Sequence, residues 1–553
     1  MNHNNKRIVF IGAAWPYANQ SLHLGHVSAL LGSDILARYF RAKGDSVLFV
    51  SGSDCHGTPI TVSAEKQKVK PEVIAQKYHQ EFLKNLVDGL KFSYDNYTTT
   101  LTENHKKIVQ EIFLKLYEKG DIYTKTQELP YCPTCKRFLP DRYIEGECPK
   151  CHFKEARGDQ CDNCGAILDP KDLINPHCKT CSSQPEFRES EHFFLRLSRY
   201  QKKLESWVSK SKFWRPNALG FTKKLLKEGL HDRAITRDID WGVPIPLPGY
   251  DEKRIYVWFE AVCGYFSASR EWANKEGQPD IWREFWQNKN AIHYYVHGKD
   301  NIPFHTIVWP AILMGYGGLN LPDRIIPSEY LTLKGKQFSK SRGWAVTLPH
   351  FLQNFDAETL RYYLTISGPE TSDADFTWKN YQERVNKELI GNFANFIHRT
   401  FHLIFENFPN GVRRTNVRGN GQNLLEQTIK SYETAGRLIE EGKFRDALKN
   451  IFALTEAGNQ FLAETEPWKK IKQDKAQAES DLAVCAEVIL NLGQLVSPFL
   501  PQTAQKIINP SDTIKWEYKT EKIYKFSRPE IIFKRIEDKQ IEIEEEILTS
   551  AMH

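Results

Sequence analysis

Two histidines bracket a leucine and a glycine in His23-Leu24-Gly25-His26, where an apolar run gives way to a helical pattern. A helix N-terminus carries free N–H groups and a partial positive charge, so two imidazoles one turn apart there form a compact site for phosphate oxygens. Gly25 would let a flat adenine lie against bare backbone. Surface or capping histidines are the plain alternative. Much later, Gln337-Phe338-Ser339-Lys340-Ser341-Arg342-Gly343 is a polar, small-residue loop that cannot be a core segment. A lysine on such a loop can close over a nucleotide and neutralise the charge that builds as pyrophosphate leaves, although most loop lysines are simply solvated. Eight of the 11 cysteines form four C-x-x-C pairs: Cys132 with Cys135, Cys148 with Cys151, Cys161 with Cys164, and Cys178 with Cys181. Eight thiolates make two tetrahedral metal sites, and the spacing leaves three pairings of the knuckles open. Full thiolate ligation leaves no position for water, so such metals are structural rather than hydrolytic.

These residues need elements to hold them. Arg7 to Ala14 is an apolar, β-rich run that predicts a buried strand of a parallel sheet. From Leu24 the apolar residues recur at helical spacing until Lys43-Gly44, and Ser46 to Asp54 predicts a second strand. Strand, helix, strand is a βαβ unit, whose ligands sit beyond the carboxyl ends of the strands, where His23 and Asp54 fall. Helices are predicted near Pro71 to Leu90 and Thr102 to Lys119, and the Cys-rich stretch then interrupts the pattern until about Glu191. Strand and helix signals resume at Ile255 to Val262 and Ala291 to Gly298. Beyond roughly Tyr381 the periodicity is purely helical, around Asn386 to Phe405, Leu424 to Glu441, Ala447 to Leu462 and Leu482 to Leu495. Asn410 to Gly421 reads as a loop between the first two of these helices, in a bundle that closes the chain. The fold class is thus α/β: a split Rossmann-like parallel-sheet domain, a knuckle-bearing insertion and a C-terminal all-α bundle.

At 553 residues the chain exceeds one hydrophobic core and needs several modules. Its 41% hydrophobic and 26% charged residues are ordinary for a globular protein. No stretch approaches the roughly 20 apolar residues of a membrane span, and the polar opening Met1 to Arg7 is unlike a signal peptide, so a cytoplasmic address is expected. A net charge of +6 suits a polyanionic partner without identifying one.

Taken together, the early H-x-G-H and the late x-x-S-K-S resemble the paired signatures of class I aminoacyl-tRNA synthetases. Five segments narrow the resemblance to the methionyl-tRNA synthetase family: A-W-P-Y-A-N-Q-S-L-H-L-G-H, S-D-C-H-G-T-P-I, I-T-R-D-I-D-W-G-V-P-I-P, Y-V-W-F-E-A-V-C-G-Y and H-G-K-D-N-I-P-F-H. The resemblance runs from about Arg7 to Trp468. It implies ATP-dependent formation of methionyl-adenylate, with Mg accompanying ATP, and transfer to the terminal adenosine of initiator and elongator tRNA(Met) bearing a CAU anticodon. It also implies roles. His23, His26 and Lys340 would be catalytic, and His23, Gly25, His26, Ser339, Lys340 and Ser341 would bind ATP. Asp54 would pair with the methionine ammonium, with Arg237 near the adenylate. The side-chain pocket would be Trp15, Tyr17, Trp258, Ala261, Val262, Tyr265, His305 and Trp309, aromatic walls that suit a polarizable thioether. Asn395, Arg399 and Trp468 match anticodon-reading positions.

For the metals, the resemblance favours two nested zinc sites, Cys148, Cys151, Cys161 and Cys164 inside Cys132, Cys135, Cys178 and Cys181. The implied division is 1–118 and 231–325 for the catalytic domain, 119–230 for the insertion, 326–384 for a stem-contact region with the Ser-Lys-Ser loop, 385–540 for the anticodon-binding bundle and 541–553 for a charged tail. With no dimerising module recognised, a monomer is expected. Three positions depart from the family pattern: Trp15 where Leu is frequent, Ala261-Val262-Cys263 where Ala-Pro-Ile is common, and Gln337-Phe338 in place of Lys-Met. A related nucleotidyltransferase and a catalytically silent tRNA-binding paralogue are the rival readings. The Cys-rich insertion leaves no room for the editing domain of leucine, isoleucine or valine enzymes.

Overall fold

The computed structural model describes residues 6–158, 161, 163–164, 166, 168–339, 343–415, 417–508 and 513–550. Five strands, β1 (Ile8–Ala13), β2 (Ser46–Ser53), β3 (Asn96–Thr99), β4 (Ile292–Gly298) and β5 (Arg324–Ser328), form one sheet in the order β5-β4-β1-β2-β3. Every pairing is parallel. Chain order therefore reverses between β1 and β4, and the crevice beyond their carboxyl ends is the switch point where such sheets bind ligands. The apolar run of β1 is explained by burial on both faces: Val9 and Ile11 enter one core and Phe10 the other.

Helix α1 (Leu24–Ala42) crosses from β1 to β2 and stops at Lys43, with Gly44 in the left-handed region at φ +88°. Within Ile255 to Val262, Ile255 ends a two-residue strand and Val257 already opens α2 (Val257–Lys275), whose near-continuous burial between the sheet and the helix Glu103–Glu118 hides its helical period. The insertion is an antiparallel ribbon, Ile122–Cys132 against Glu186–Leu195, that carries the cysteine module at its tip. A second small sheet joins β6 (Leu331–Leu333), β7 (Lys336–Gln337) and β8 (Ala374–Phe376) in the order β7-β6-β8. Between β7 and β8 lies α3 (Ala357–Ser367), and after β8 comes α4 (Trp378–Arg384). A wider π-helix, Val385–Ala394, then leads without a break into α5 (Asn395–Asn407).

The bundle continues through α6 (Asn420–Glu440), α7 (Phe444–Thr465), α8 (Pro467–Gln473) and α9 (Lys475–Val496). Its core is continuous with the α1 face of the sheet. Arg361 of α3 marks the seam. Fully buried, it pairs with buried Asp34 of α1 at 2.7 Å and donates to the carbonyls of Leu90, Pro498 and Phe499 at 3.1, 3.0 and 2.7 Å. The segment expected as a charged tail is helical over α10 (Asp538–Ser550), which packs on α4 through buried Ile541 and Leu548. Its acidic residues face outward or find partners, as Glu544 does with His350 at 2.7 Å. No described helix is long and apolar enough to cross a membrane.

Candidate active site

His23 is the N-cap of α1, and its extended backbone lets Nδ1 accept from the Gly25 N–H at 3.1 Å. His26 reciprocates, its Nδ1 accepting from the His23 N–H at 3.1 Å, so the two imidazoles form a capping box. The expected free N–H groups are therefore taken: Gly25 by His23, Leu24 by the Val346 carbonyl at 3.2 Å and His26 by the His23 carbonyl at 2.9 Å. The consequence is a fixed tautomer. An Nδ1 that accepts leaves the ring proton on Nε2 in both histidines. The backbone at Gly25 is not bare, because a Cβ there would meet the His23 ring at 3.0 Å and Phe338 at 3.6 Å.

The second signature lies directly on the first. Phe338 stacks on His23 with ring centroids 4.7 Å apart and planes at 4°. Ser339 exchanges two backbone hydrogen bonds with Trp344, at 2.8 and 2.9 Å, closing the base of the loop. Leu348 N–H then reaches the Leu22 carbonyl at 2.7 Å, tying the outgoing strand to the entry of α1. Lys340 and Ser341 lie outside the described residues. Gln337 is exposed in β7, paired with Thr332.

Asp54 follows β2 and is 2% exposed. Its backbone bonds to Pro16 and Ala18 hold it beside the segment leaving β1, and one carboxylate oxygen accepts from the His56 N–H at 3.3 Å. Among the described residues no cation pairs with it. Burial first, and then the charge of Glu260, push its carboxyl well above the usual range. Glu260, fully buried on α2, behaves oppositely: burial raises it, but the charge of His56 and hydrogen bonds from His105 and His56 prevail and hold it at about 2.

Around it stands an aromatic chamber. Tyr17 meets Trp258 edge-on at 5.9 Å, and Trp258 stacks on Phe304 at 4.1 Å. The Trp15 ring is seated against Gly52 and Gly264, where an added Cβ would come within 2.5 and 2.8 Å of it. Ala261 is half-buried at the wall, and Val262, Tyr265, His305 and Trp309 form the layer behind, each at most 3% exposed. Tyr265 Oη donates to His305 Nε2 at 2.7 Å while His305 Nδ1 donates to the Asn301 carbonyl at 2.8 Å. Burial lowers His305 to about 4, so its ring is neutral and fixed. Trp309 donates to Tyr295 Oη at 3.0 Å. Arg237 sits at the edge, its guanidinium 3.7 Å over the Tyr256 ring and bonded to the carbonyls of Ala234 and Thr236. Sequence reasoning missed His56, His105, Glu260 and Phe304, although all but His105 lie inside the quoted segments.

Away from this chamber, the eight cysteines gather as two groups, Cys132, Cys135, Cys178 and Cys181, and Cys148, Cys151, Cys161 and Cys164, with ligand atoms in each within 4.8 Å of one another. This is the nested arrangement. Sulfur separations of 3.4, 3.9, 3.9 and 3.6 Å are too long for disulfides and match the roughly 3.8 Å edge of a tetrahedron with Zn–S bonds near 2.3 Å. In the bundle, Asn395 is exposed at the start of α5, and Arg399 places its guanidinium 5.5 Å over the half-buried Trp468 ring. The three predicted residues share one face.

Comparison with known proteins follows the same outline. The family described as tRNA synthetases class I (M) matches residues 9–401, and the anticodon binding domain of methionyl tRNA ligase matches residues 408–549. The chain is 46% identical to the methionine–tRNA ligase of Bacillus mycoides (strain KBAB4), over 98% of this chain and 99% of that protein. It is 46% identical, with the same coverage, to methionine–tRNA ligase 1 of Bacillus cereus (strain ATCC 10987 / NRS 248). A crystal structure of Mycobacterium tuberculosis methionyl-tRNA synthetase bound by methionyl-adenylate shares the fold, with TM-score 0.79 at 22% identity over 96% of this chain and all of that one.

Proposed function

The chain belongs to the methionyl-tRNA synthetases of class I, and from that premise we propose how its residues divide the ligation of methionine to tRNA. The observation that carries the reading is Asp54, a buried carboxyl without a cationic partner among the described residues, facing an aromatic chamber beside the paired signatures. L-Methionine would enter with its ammonium on Asp54 and its thioether among Trp15, Tyr17 and Trp258, over Ala261, Val262, Tyr265, His305 and Trp309. Its carboxylate oxygen attacks the α-phosphorus of ATP as the bond to pyrophosphate breaks. The Nε2–H groups of His23 and His26 would meet the phosphates, Gly25 would leave room for the His23 ring that caps the helix, and Lys340 between Ser339 and Ser341 would offset the charge of the departing pyrophosphate. Arg237 flanks the adenylate. The 2′-hydroxyl of the terminal adenosine then attacks the methionyl carbonyl and AMP leaves.

Magnesium accompanies ATP and shields its phosphate charges. Zinc fits both cysteine groups, where it would cross-link the insertion and take no part in the chemistry. A CAU anticodon would be read by stacking on Trp468 and by edge contacts from Asn395 and Arg399. The enzyme would act as a monomer in the cytoplasm, with Ile541 and Leu548 of α10 buried within the chain's own fold. Nothing favours the silent paralogue or the nucleotidyltransferase. The deciding experiment is amino-acid-dependent exchange of labelled pyrophosphate into ATP. Exchange with methionine, and not with leucine or isoleucine, is expected, and its absence would overturn the reading.

A further inference from the structure

The acidic run near the end of the chain takes no part in the chemistry above. Two of its members, Glu544 and Glu545, are consecutive on α10, yet they reach opposite arms of the segment that carries the second signature. Adjacent helix positions point about 100° apart, which lets neighbours serve separate partners. On the incoming arm, Lys334 and Gly335 turn the chain from β6 into β7 with φ of +48° and +74°, a tight two-residue hairpin turn. The Lys334 N–H donates to the Phe376 carbonyl at 3.1 Å and the Gly335 N–H to Asp375 at 2.7 Å, so the turn is fixed on β8 while the Lys334 ammonium pairs with Glu545. β7 then runs directly into Phe338, whose ring stacks on His23. On the outgoing arm, His350 lies in the short helix Leu348–Asn354, whose first N–H bonds to Leu22, just before the capping histidines. Its Nε2 donates to Glu544 at 2.7 Å, and Glu544 is only 5% exposed.

α10 is anchored independently of these contacts. Gln382 of α4 donates to Asp538 at 2.8 Å and to the Ile536 carbonyl at 3.1 Å, and Asn386 exchanges two hydrogen bonds with the Ile536 backbone at 2.8 and 3.0 Å. Ile541 and Leu548 are buried beneath the helix. One fixed helix therefore grips the chain both before and after the Ser339–Trp344 closure, and rate is sensitive to displacements of about 1 Å in groups around the reacting atoms. We propose that Glu544 and Glu545 are positioning residues: through His350 and Lys334 they hold Phe338 on His23, and with it the loop in register for adenylate formation. This rests on the reading of that loop as catalytic.

The test uses the full chain with Glu545→Lys, Lys334→Glu and the two together; both side chains are partly exposed, so the variants fold. The readouts are single-turnover formation of methionyl-adenylate and hydrogen exchange at the Ser339 and Trp344 amides. An exposed ion pair contributes little, but reversing one charge adds repulsion of similar size, so each single change should slow the step about twofold to tenfold. Exchange at both amides should rise, methionine affinity should stay unchanged, and the double reversal should restore rate and exchange together. In a Phe338→Ala background Glu545→Lys should add nothing, because the ring through which it acts is gone. Unchanged exchange in both single variants would refute the brace. Raised exchange with an unaltered rate, or a slowed rate that persists in the double reversal or deepens in the Phe338→Ala background, would refute its part in the reaction. If the unaltered protein forms no methionyl-adenylate, the ligase reading fails and the positioning role with it, while hydrogen exchange separately reports whether α10 holds the loop.

Discussion

Asp54→Asn tests the methionine site from two directions at once. Asn has nearly the same shape and can still accept from the His56 N–H, so the change removes charge with little repacking. Truncating one partner of a buried, hydrogen-bonded charge pair costs about 2 to 5 kcal/mol. Because Glu260 is held ionised at about 2 and keeps a negative field in the chamber, we take the lower part of that range, about 2 to 4 kcal/mol. Methionine affinity should then fall by about 30-fold to 700-fold. The stability of the unliganded protein should move the other way. A carboxyl whose folded-state pKa is raised stabilises the fold while protonated, and that contribution is lost as pH rises through the raised value. The Asn variant lacks this loss. Its melting midpoint should equal that of the parent in acid and exceed it increasingly as pH climbs, whereas methionine binding by the parent should tighten over the same interval. Calorimetric titration of methionine and ligand-free melting curves from pH 5 to 8 measure both. Unchanged methionine affinity, or an Asn variant that melts lower at pH 8, would refute the assignment of Asp54 as the ammonium's counter-ion.

Three further outcomes follow from the other sites. Metal analysis should find two zinc ions per chain, and Cys148→Ser should leave about one and unfold the tip of the insertion, detected as protease sensitivity near residue 150; two retained zincs would break the nested assignment. Lys340→Ala should slow adenylate formation by about 100-fold to 1,000-fold with methionine binding preserved, and an unchanged single-turnover rate would remove its role. Trp468→Ala should cut charging of CAU-bearing tRNA by about 5-fold to 150-fold, from roughly 1 to 3 kcal/mol of stacking, while pyrophosphate exchange survives; joint loss of both with a lowered melting point would make Trp468 a core residue.

Where the chain announces itself, the reason is local. Gly44 in the left-handed region and the capping histidines bound α1 within a few residues, so its limits are readable without tertiary knowledge. The four C-x-x-C pairs named two metal groups, but only the ribbon that brings residue 132 beside residue 181 chooses among the pairings. Other features depend on burial that no period reveals. Glu260 sits in a helix covered on nearly every side, so its contacts with His56 and His105 leave no amphipathic trace. Trp15 departs from the family pattern, and its fit on Gly52 and Gly264 joins three segments far apart in sequence. In α10 the acidic run hides Ile541, Glu544 and Leu548, whose spacing of three and four marks a docked face. The sequence pattern predicts free helix amides beside the two histidines, but the N–H groups of Leu24, Gly25 and His26 are already bonded, because the histidine rings and the Val346 carbonyl that take them are placed only by the folded chain.

The guanidinium at the seam limits how this protein could be recombined. Arg361 leaves α3 but is satisfied by α1's Asp34 and by carbonyls at residues 90, 498 and 499, so catalytic core and bundle complete one another's polar accounting. Removing one partner of such a buried pair costs about 3 to 5 kcal/mol. A bundle grafted from a relative would have to present two carbonyls in register with that side chain, and a catalytic half excised alone would carry a buried charge with part of its cage missing. The helical bundle is therefore not an exchangeable cassette, because exchanging it breaks the polar cage of a side chain that belongs to α3.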